Sequence, residues 1–596
     1  MLDAFRSVAP TLVGAVRALG GDRERGFVFV RANGTERLVS FAELATGAAE
    51  RGAALVAAGL KKRDRVALVV PDGDEFVLSF LGALFAGLVP VPVYPPLSFK
   101  NVDSYHAALA HIVHASGASL LVTTVATKPY VEPARARVPA LRGVVTVDDL
   151  AGGGAPSVEP SVGPDDVAFL QFTSGSTSRP KGVVVTHGNL AANAAAFMLD
   201  GLHRDSSVDK GVSWLPLYHD MGLIGFVVGP LFTNVPCVFM PTASFVRAPR
   251  LWLDKLHEHR GTITYAPNFA YALVAKRLKE KDVEGLDLSC VRVAGCGAEP
   301  IQAKALRDFA QRLAGARFDP RAFVPSYGMA EATLAITFAP LGEGLRTDRV
   351  DPRALTRGDA DPGGPEGAVD VVECGRVFPG HELAIVDDTG CRLGDRRVGQ
   401  IVFRGPSVTR GYYEEPELTA QTFRPLAGES PSVPWLHTGD LGYTVNGRLY
   451  VCGRVKDIII VRGRNYYPTD IEWAVGELPN VRRGNVVAFG VTVDAQGRPF
   501  RGDGQGDDSA GEEQLVVCCE GASSDAEAIR AAASACVTAQ FGLAVHEIVV
   551  TQLASLPRTS SGKPQRRKAR QMYLDGTLPR ARSVQAGPMD DDRERS

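Results

Sequence analysis

Arg65–Val93 reads RVALVVPDGDEFVLSFLGALFAGLVPVPV, and its pattern decides the fold class. Arg65–Val70 is an apolar run of strand length, Glu75–Ala86 has helix length, and Val89–Val93 is a second short apolar run. The rhythm continues outward. Phe41–Gly59 is Ala-rich and amphipathic, His106–Ala115 predicts a further helix, and Leu120–Thr124 a further strand. Strands alternating with helices specify doubly wound, mostly parallel sheets.

A chain of 596 residues exceeds one ordinary core; about 150 residues per unit gives roughly 3–4 units. The alternation weakens after Cys374, where Glu382–Val386 and Gln400–Phe403 predict a smaller β-rich unit. Asp457 onward reads as a separate small α/β domain. The expected architecture is therefore α/β. A large N-terminal domain over 1–455 holds two mostly parallel α/β subdomains and a β-rich one, and a small mobile domain over 456–580 follows. Gly, Pro, Asp and Arg dominate 341–370, which predicts an irregular surface insertion in the large domain. The polar stretch 494–513 predicts a mobile loop, and the charged residues 581–596 a disordered tail.

Composition excludes several classes. A 45% apolar and 22% charged chain with net charge −2 is globular and gives no overall signal for nucleic acid. Nine cysteines without a C-x-x-C pair fit reduced thiols and a cytoplasmic location. The opening MLDAFRSVAP, with Asp3 and no long apolar run, does not read as a secretory signal. Phe76–Tyr94 and Leu223–Met240 are uncharged, but Gly and Pro interrupt both. A spanning helix wants ~20 continuous apolar residues, so each is expected to be a buried helix running into a buried strand, without stable membrane insertion.

Chemistry concentrates in Gln171–Gly182, QFTSGSTSRPKG. Backbone N–H groups of such loops form concavities for anions. Thr173, Ser174, Ser176 and Thr177 add hydroxyl donors around Gly175, and Lys181 adds a point charge. Short apolar runs at Asp166–Phe172 and Val183–Thr186 flank the loop, which suits a phosphate grip better than a linker. A Walker loop is excluded, because Lys181 precedes Gly182 instead of following a glycine.

Six further segments follow in order. SWLPLYHDMGLIG (Ser213–Gly225) sets His219 and Asp220 among apolar residues. AGCGAEP (Ala294–Pro300) places Gly295 and Gly297 between a strand and a helix, where a flat ligand can approach backbone. PSYGMAEATL (Pro325–Leu334) offers Tyr327 and Glu331, and HTGDLG (His437–Gly442) offers Asp440, suited to a diol. GRVKDIIIVRGRNYYPTDIE (Gly453–Glu472) is basic, then strand-like; PRTSSGKPQRR (Pro557–Arg567) is a glycine-bearing loop with Lys563 before a basic helix. Each alone has a bland structural explanation; the ordered set does not.

From these motifs the chain resembles the adenylate-forming superfamily of acyl-CoA synthetases, luciferases and nonribosomal adenylation domains, over roughly Phe41 to Leu578. Within it the chain is most similar to the fatty acyl-AMP ligases. LPLYHDMGL, the run FVRAPRLWLDKLHEHRGTITYAPNFAY (Phe245–Tyr271), VRGRNYYPTDIE and the insertion before Cys374 carry that resemblance. One position departs from the family pattern: Ser178 stands where a glycine is usual, which alters loop mobility beyond the hydroxyl cluster.

The resemblance implies ATP and Mg2+ as cofactors, a fatty acid as substrate, and the phosphopantetheine thiol of an acyl carrier protein as acceptor. It implies that Thr173, Ser174, Gly175, Ser176, Thr177 and Lys181 hold the phosphates, and that Glu331 binds the metal. The adenine and ribose fall to Gly297, Ala298, Glu299, Pro300, Ser326, Tyr327, Gly328, Met329, Asp440 and Arg454. Lys563, His219 and Glu331 are the implied catalytic residues, Lys456 the hinge, and Trp214, Leu215, Met221, Gly222, Phe269 and Tyr271 the acyl pocket. The rival with the same chemistry is a fatty acyl-CoA ligase. A non-catalytic nucleotide- or lipid-binding relative is the rival of another class, opposed by the presence of Lys563 and Glu331.

Overall fold

The computed structural model describes residues 8–581 except 97–101, 153–159, 174–179, 365–367, 431–432, 463, 494–498, 500–511 and 560–562. The mobile-loop expectation for 494–513 and the disordered-tail expectation for 581–596 therefore fall almost wholly outside the described residues. The chain forms two compact units: Met1–Arg349 with Asp370–Cys452, and Val350–Val369 with Gly453–Ser596.

The N-terminal unit contains the alternation read from the sequence. Arg65–Val69 pairs in parallel with Val89–Pro92 on one side and Leu120–Thr123 on the other, and Gly143–Thr146 completes a four-stranded sheet. Helix Gly73–Phe85 is the crossover. The same unit contains a nine-stranded sheet. Its centre runs Phe323–Gly328, Val293–Cys296, Ile263–Ala266, Gly211–Ser213, Cys237–Phe239 and Gly26–Val30, all parallel. Antiparallel strands close both edges. Parallel strands buried on both faces read as near-continuous apolar runs, which is why these were legible. Glu382–Val386, Gly399–Arg404, Trp435–Val445 and Phe423–Arg424 belong to a separate antiparallel sheet of five strands, the β-rich portion.

Both uncharged stretches are helices running into buried strands. Gly73–Phe85 leads to Val89–Pro92, and the helical turns Asp220–Thr233 lead to Cys237–Phe239. Among the described residues no helix is long and apolar enough to cross a membrane.

The C-terminal unit is a three-stranded sheet with a helix layer on each face. Val481–Val493 pairs antiparallel with Glu512–Gly521, which pairs in parallel with Val545–Thr551. Side chains alternate between faces. Val486, Ala488, Leu515, Val517 and Cys519 pack against helices Pro468–Gly476 and Ala526–Phe541. Val487, Phe489, Val491, Val516 and Cys518 pack against helix Arg566–Leu574. Cys518 and Cys519 thus lie in opposite cores, and burial raises both thiols, Cys519 to about 12.

Residues 341–370 differ from the irregular insertion expected in the large domain. They contain the strand Thr347–Val350 and the helical turn Pro352–Leu355, whose first turn Asp351 caps through its side chain to Arg353 N–H at 2.9 Å. Val350–Val369 belongs with the C-terminal unit, where Thr356 O accepts the Asn465 N–H at 3.2 Å.

Candidate active site

Strands Val167–Thr173 and Lys181–Thr186 form an antiparallel pair whose last rung is Thr173 opposite Lys181. Both loop ends are therefore fixed by a ladder, while Ser174, Gly175, Ser176 and Thr177 lie outside the described residues. A second segment docks on the pair. Val184 N–H donates to Gly411 O at 2.9 Å and Tyr413 N–H to Gly182 O at 2.8 Å. This seats the Tyr412 ring 5.6 Å from the Lys181 ammonium, within cation–π range. The Tyr412 hydroxyl donates to Glu331 Oε1 at 2.8 Å. Burial, reinforced by the Glu331 charge, raises the Tyr412 phenol far above its usual range, so it remains a donor. Lys181, Tyr412 and Glu331 form one chain of contacts from the expected phosphate lysine to the expected metal carboxylate. The sequence reading missed Tyr412; its signal was the Gly411-Tyr412-Tyr413 step, an aromatic pair after a glycine in an otherwise polar loop.

Glu331 sits in a turn just past the end of strand Phe323–Gly328. Its carbonyl accepts from both the N–H and the hydroxyl of Thr409, each at 3.0 Å. Two residues on, Thr333 has φ +70° and ψ −63°, held by its hydroxyl donating to Ser407 O at 2.6 Å. A β-branched residue with positive φ is strained and persists only where the surroundings dictate it.

Tyr327 and Asp440 form a second anchored carboxylate. The Tyr327 hydroxyl donates to Asp440 Oδ2 at 2.7 Å, and Asp440 N–H donates to Thr438 Oγ1 at 3.1 Å. Both side chains are buried. In the same motif, burial and the Arg424 charge press His437 down to about 4, so it is neutral near pH 7, with Nδ1 3.0 Å from Gln400 Oε1.

The glycines of AGCGAEP leave room for neighbours from the protein itself. A Cβ at Gly295 would stand 2.0 Å from the Tyr265 ring, and one at Gly297 would stand 3.0 Å from Ser326 O. Tyr265 OH lies 3.3 Å from Ser326 Oγ. Ala298 has φ +69°. Glu299 Oε1 accepts the Phe269 N–H at 2.7 Å, in the first turn of helix Asn268–Arg277, a favourable place for an anion. Pro300 and Met329 lie on the loops after strands Val293–Cys296 and Phe323–Gly328, and Ser326 and Gly328 lie within the second strand. Ala298–Pro300 and Met329–Glu331 thus both follow the C-terminal ends of adjacent parallel strands, where open α/β sheets place ligands.

His219 Nδ1 lies 2.5 Å from Asp220 Oδ1, and both residues are partly exposed. Gln171 Nε2 ties the preceding loop to the phosphate-loop strand by donating to Tyr218 O at 3.2 Å. The acyl-pocket residues divide. Trp214 stacks on Phe245 with centroids 3.9 Å apart, and Tyr271 is fully buried with its hydroxyl donating to Gly295 O at 2.7 Å. Leu215 is buried, and a Cβ at Gly222 would meet Pro216 O at 2.3 Å. These four are packed among protein atoms, while Met221 and Phe269 are only partly buried.

Arg454, Lys456 and Lys563 belong to the C-terminal unit. Lys456 is exposed in the turn Val455–Asp457. Lys563 closes its own loop, with its N–H donating to Thr559 Oγ1 at 3.0 Å and its O accepting the Thr559 N–H at 2.8 Å. The basic run after it is not one solvated face. Arg566 is an internal ion-paired residue and Arg570 Nε donates to Gly490 O at 2.9 Å, whereas Arg567 and Lys568 are exposed.

Glu331, held by the Tyr412 phenol beside Lys181, offers a metal a buried carboxylate at the expected phosphate loop. Mg2+ commonly uses one or two protein carboxylates plus substrate phosphates, so the donor set fits. Among the described residues, Glu36, Glu258 and His259 also come within metal-holding range of one another. There the Lys255 ammonium already lies 2.7 Å from Glu36 and 2.6 Å from Glu258, taking a cation's place.

Residues 21–413 match the AMP-binding enzyme family. A Caulobacter vibrioides protein provisionally called an acyl-CoA synthetase is 38% identical over 530 residues, covering 88% of each chain. Long-chain-fatty-acid–AMP ligase FadD32 of Mycolicibacterium smegmatis is 35% identical, with 86% of each chain covered. Medium-chain-fatty-acid–[acyl-carrier-protein] ligase JamA of Moorena producens is 32% identical, with 87% of each chain covered. Among solved structures, one from a study of fatty acyl-adenylate ligases of E. coli and L. pneumophila superposes with a TM-score of 0.86 at 35% identity, over 95% of this chain and 98% of that one.

Proposed function

The chain belongs to the AMP-binding enzyme family, and from that premise we propose that it is a fatty acyl-AMP ligase that delivers its acyl group to a carrier-protein thiol. A fatty carboxylate is ionised at neutral pH, so the first half-reaction needs no general base. One carboxylate oxygen attacks the α-phosphorus of ATP, the bond to the bridging oxygen breaks, and pyrophosphate leaves. The acyl group now carries AMP, a good leaving group. In the second half-reaction the phosphopantetheine thiolate attacks the acyl carbonyl and AMP departs.

The observation that carries this reading is the Lys181–Tyr412–Glu331 chain. It holds a cation and a carboxylate in fixed relation beside the loop that Thr173 and Lys181 close. Negative charge builds on the α-phosphate in the transition state, and pre-positioned cations and donors stabilise it without reorganising. Lys181 supplies such a charge at the phosphates, and Lys563 supplies it at the α-phosphate. Tyr327 orients the Asp440 carboxylate toward the ribose diol. Glu331 would hold Mg2+, which neutralises phosphate charge when bound. Met221 and Phe269, being partly exposed, are the acyl-contacting candidates among the six. ATP as substrate and nine free cysteines suit a cytoplasmic enzyme.

A panel of fatty acids of increasing length, assayed for pyrophosphate–ATP exchange, tests the first half-reaction. Absence of exchange with every acid rejects the enzyme reading. The Caulobacter relative favours a second reading, a fatty acyl-CoA ligase. Parallel assays with coenzyme A and with a phosphopantetheinylated carrier protein separate the two, and robust acyl-CoA synthesis would select the second.

A further inference from the structure

Arg566 opens the helix that follows Lys563 by three residues. Its guanidinium is the hub of an internal network in the C-terminal unit. Nε and Nη2 donate to the two oxygens of Glu472, each at 2.7 Å, in a forked pair. Nη1 donates to Asp457 Oδ2 at 2.9 Å, and Nη2 also donates to Thr469 Oγ1 at 3.1 Å. The Arg566 side chain is 18% exposed, Glu472 8% and Asp457 15%. Glu472 Oε1 further accepts the Ala488 N–H from the central sheet at 3.0 Å. One side chain thus joins the start of helix Arg566–Leu574, helix Pro468–Gly476, and Asp457, the residue directly after Lys456.

We propose that Arg566 is a positioning residue for adenylation, fixing Asp457 to the base of the Lys563 loop so that the pivot ends at Lys456 and Lys563 moves as part of one rigid arm. The proposal rests on Lys563 as the adenylation lysine and on Lys456 as the hinge. With the Asp457 contact in place, backbone rotation is confined to residues before Asp457. Without it, Asp457 becomes a second joint between pivot and lysine. The error at the ammonium grows with the length of the arm, and small misplacements of a catalytic group are costly in rate. The base of the loop is fixed on its other side as well, by Arg558, which donates to Gly484 O and Asn485 Oδ1. Arg566 is therefore matched to an existing anchor, and the Lys563 loop is held at both ends.

Removing Arg566 outright would leave two internal carboxylates facing each other, so Asp457→Asn is the cleaner probe. It keeps the shape of Asp457 and leaves the Glu472 fork intact. Pyrophosphate–ATP exchange is measured on the full chain for wild type, Asp457→Asn, Lys563→Ala and the double variant, with melting temperatures alongside. Asp457→Asn is expected to slow exchange about tenfold, below the roughly 100-fold that an ångström of misplacement can cost, with its melting temperature unchanged. In the Lys563→Ala background the same substitution is expected to change nothing, because there is no ammonium left to place. Arg566→Lys, which keeps the charge but cannot span both carboxylates, is expected to follow Asp457→Asn. Wild-type exchange in Asp457→Asn overturns the proposal. So does an equal further loss in the Lys563→Ala background, which marks a merely structural lesion. Wild-type exchange in Lys563→Ala itself rejects the role of the lysine, and the proposal with it, a result separable from the other two.

Discussion

Tyr412 is the residue on which the site's two charges converge, with its ring under Lys181 and its hydroxyl on Glu331. Glu331→Gln is expected to raise the Mg2+ concentration needed for exchange, since an amide holds a hard dication less well than a carboxylate. Tyr412→Phe removes the donor to that carboxylate, together with the hydroxyl that Thr422 also meets. A hydrogen bond to a charged group contributes about 1.5–3 kcal/mol, so the Phe variant is expected to shift the same Mg2+ titration in the same direction, about tenfold or more. Calorimetric Mn2+ binding in the presence of a non-hydrolysable ATP analogue should show the same order. If Glu331→Gln titrates like wild type, Glu331 does not bind the metal. If Gln shifts the curve and Phe does not, the phenol is idle. At this scale the sequence conveyed residue types better than their partners. Thr173 and Lys181 stand out through a Gly- and hydroxyl-rich loop between two apolar runs, and Glu331 and Asp440 through the order of the motifs that carry them. That Tyr327 would hold Asp440 across 113 positions, or that Tyr265 would fill the space at Gly295, is not encoded in any local pattern. Trp214 and Tyr271 were assigned to the acyl pocket by family position, and both are buried, as good core residues also are.

Elements with a strong period were legible. Every bound of the strand–helix–strand at Arg65–Val93 falls within two residues of expectation, the largest difference being a helix start at Gly73 where Glu75 was expected. The alternating faces of Val481–Val493 were not drawn out, although Val486–Val491 contains that period of two in an almost wholly apolar run. The insertion was misread as irregular because composition hid its stop and start signals: Asp351 as a cap and Pro352 in the first turn. Its middle, Val350–Val369, closes on itself through Asp351 N–H to Asp361 O at 2.9 Å and belongs with the C-terminal unit. We propose that this segment gates the acceptor. Deleting it is therefore expected to leave pyrophosphate exchange largely intact while allowing acyl-CoA to appear. Continued failure to form acyl-CoA, with exchange preserved, would show that the segment does not gate the acceptor. The basic helix makes a separate prediction. Arg566 is internal, so charge reversal belongs at the exposed Arg567 and Lys568 alone. Complementary surface charge acts mainly on association rate and is screened over ~8 Å at physiological salt. Arg567→Glu with Lys568→Glu is expected to slow transfer to an acidic carrier protein and to flatten its salt dependence. A parallel fall in adenylate formation would mean that the helix supports the catalytic loop and does not dock the carrier.

At the scale of the whole molecule, acid should loosen the N-terminal unit through two internal histidines. His187 starts the helix His187–Ala194, and its Nδ1 accepts the Leu12 N–H at 3.4 Å. Burial presses it from its ordinary 6.5 to about 4, with Asp166 opposing weakly. A cation there would also face the positive end of the helix. His437 is lowered to about 4 by burial and by Arg424. Both histidines titrate near 6.5 once unfolded, so between pH 6.5 and 4 the unfolded chain binds more protons than the folded one. Stability is then complete above pH 6.5 and declines as pH falls toward 4. At pH 5 a histidine shifted in this way costs about 2 kcal/mol, a large share of a typical margin of stability. Melting measured from pH 8 to 5 should be flat above pH 7 and fall steeply below 6.5. His187→Gln with His437→Gln is expected to lower the melting temperature at every pH by disturbing packing, yet to flatten the slope below pH 6.5, and the slope is the reading that matters. An undiminished slope in the double variant would assign the acid sensitivity to the buried His381, which burial also lowers, or to the carboxylates instead.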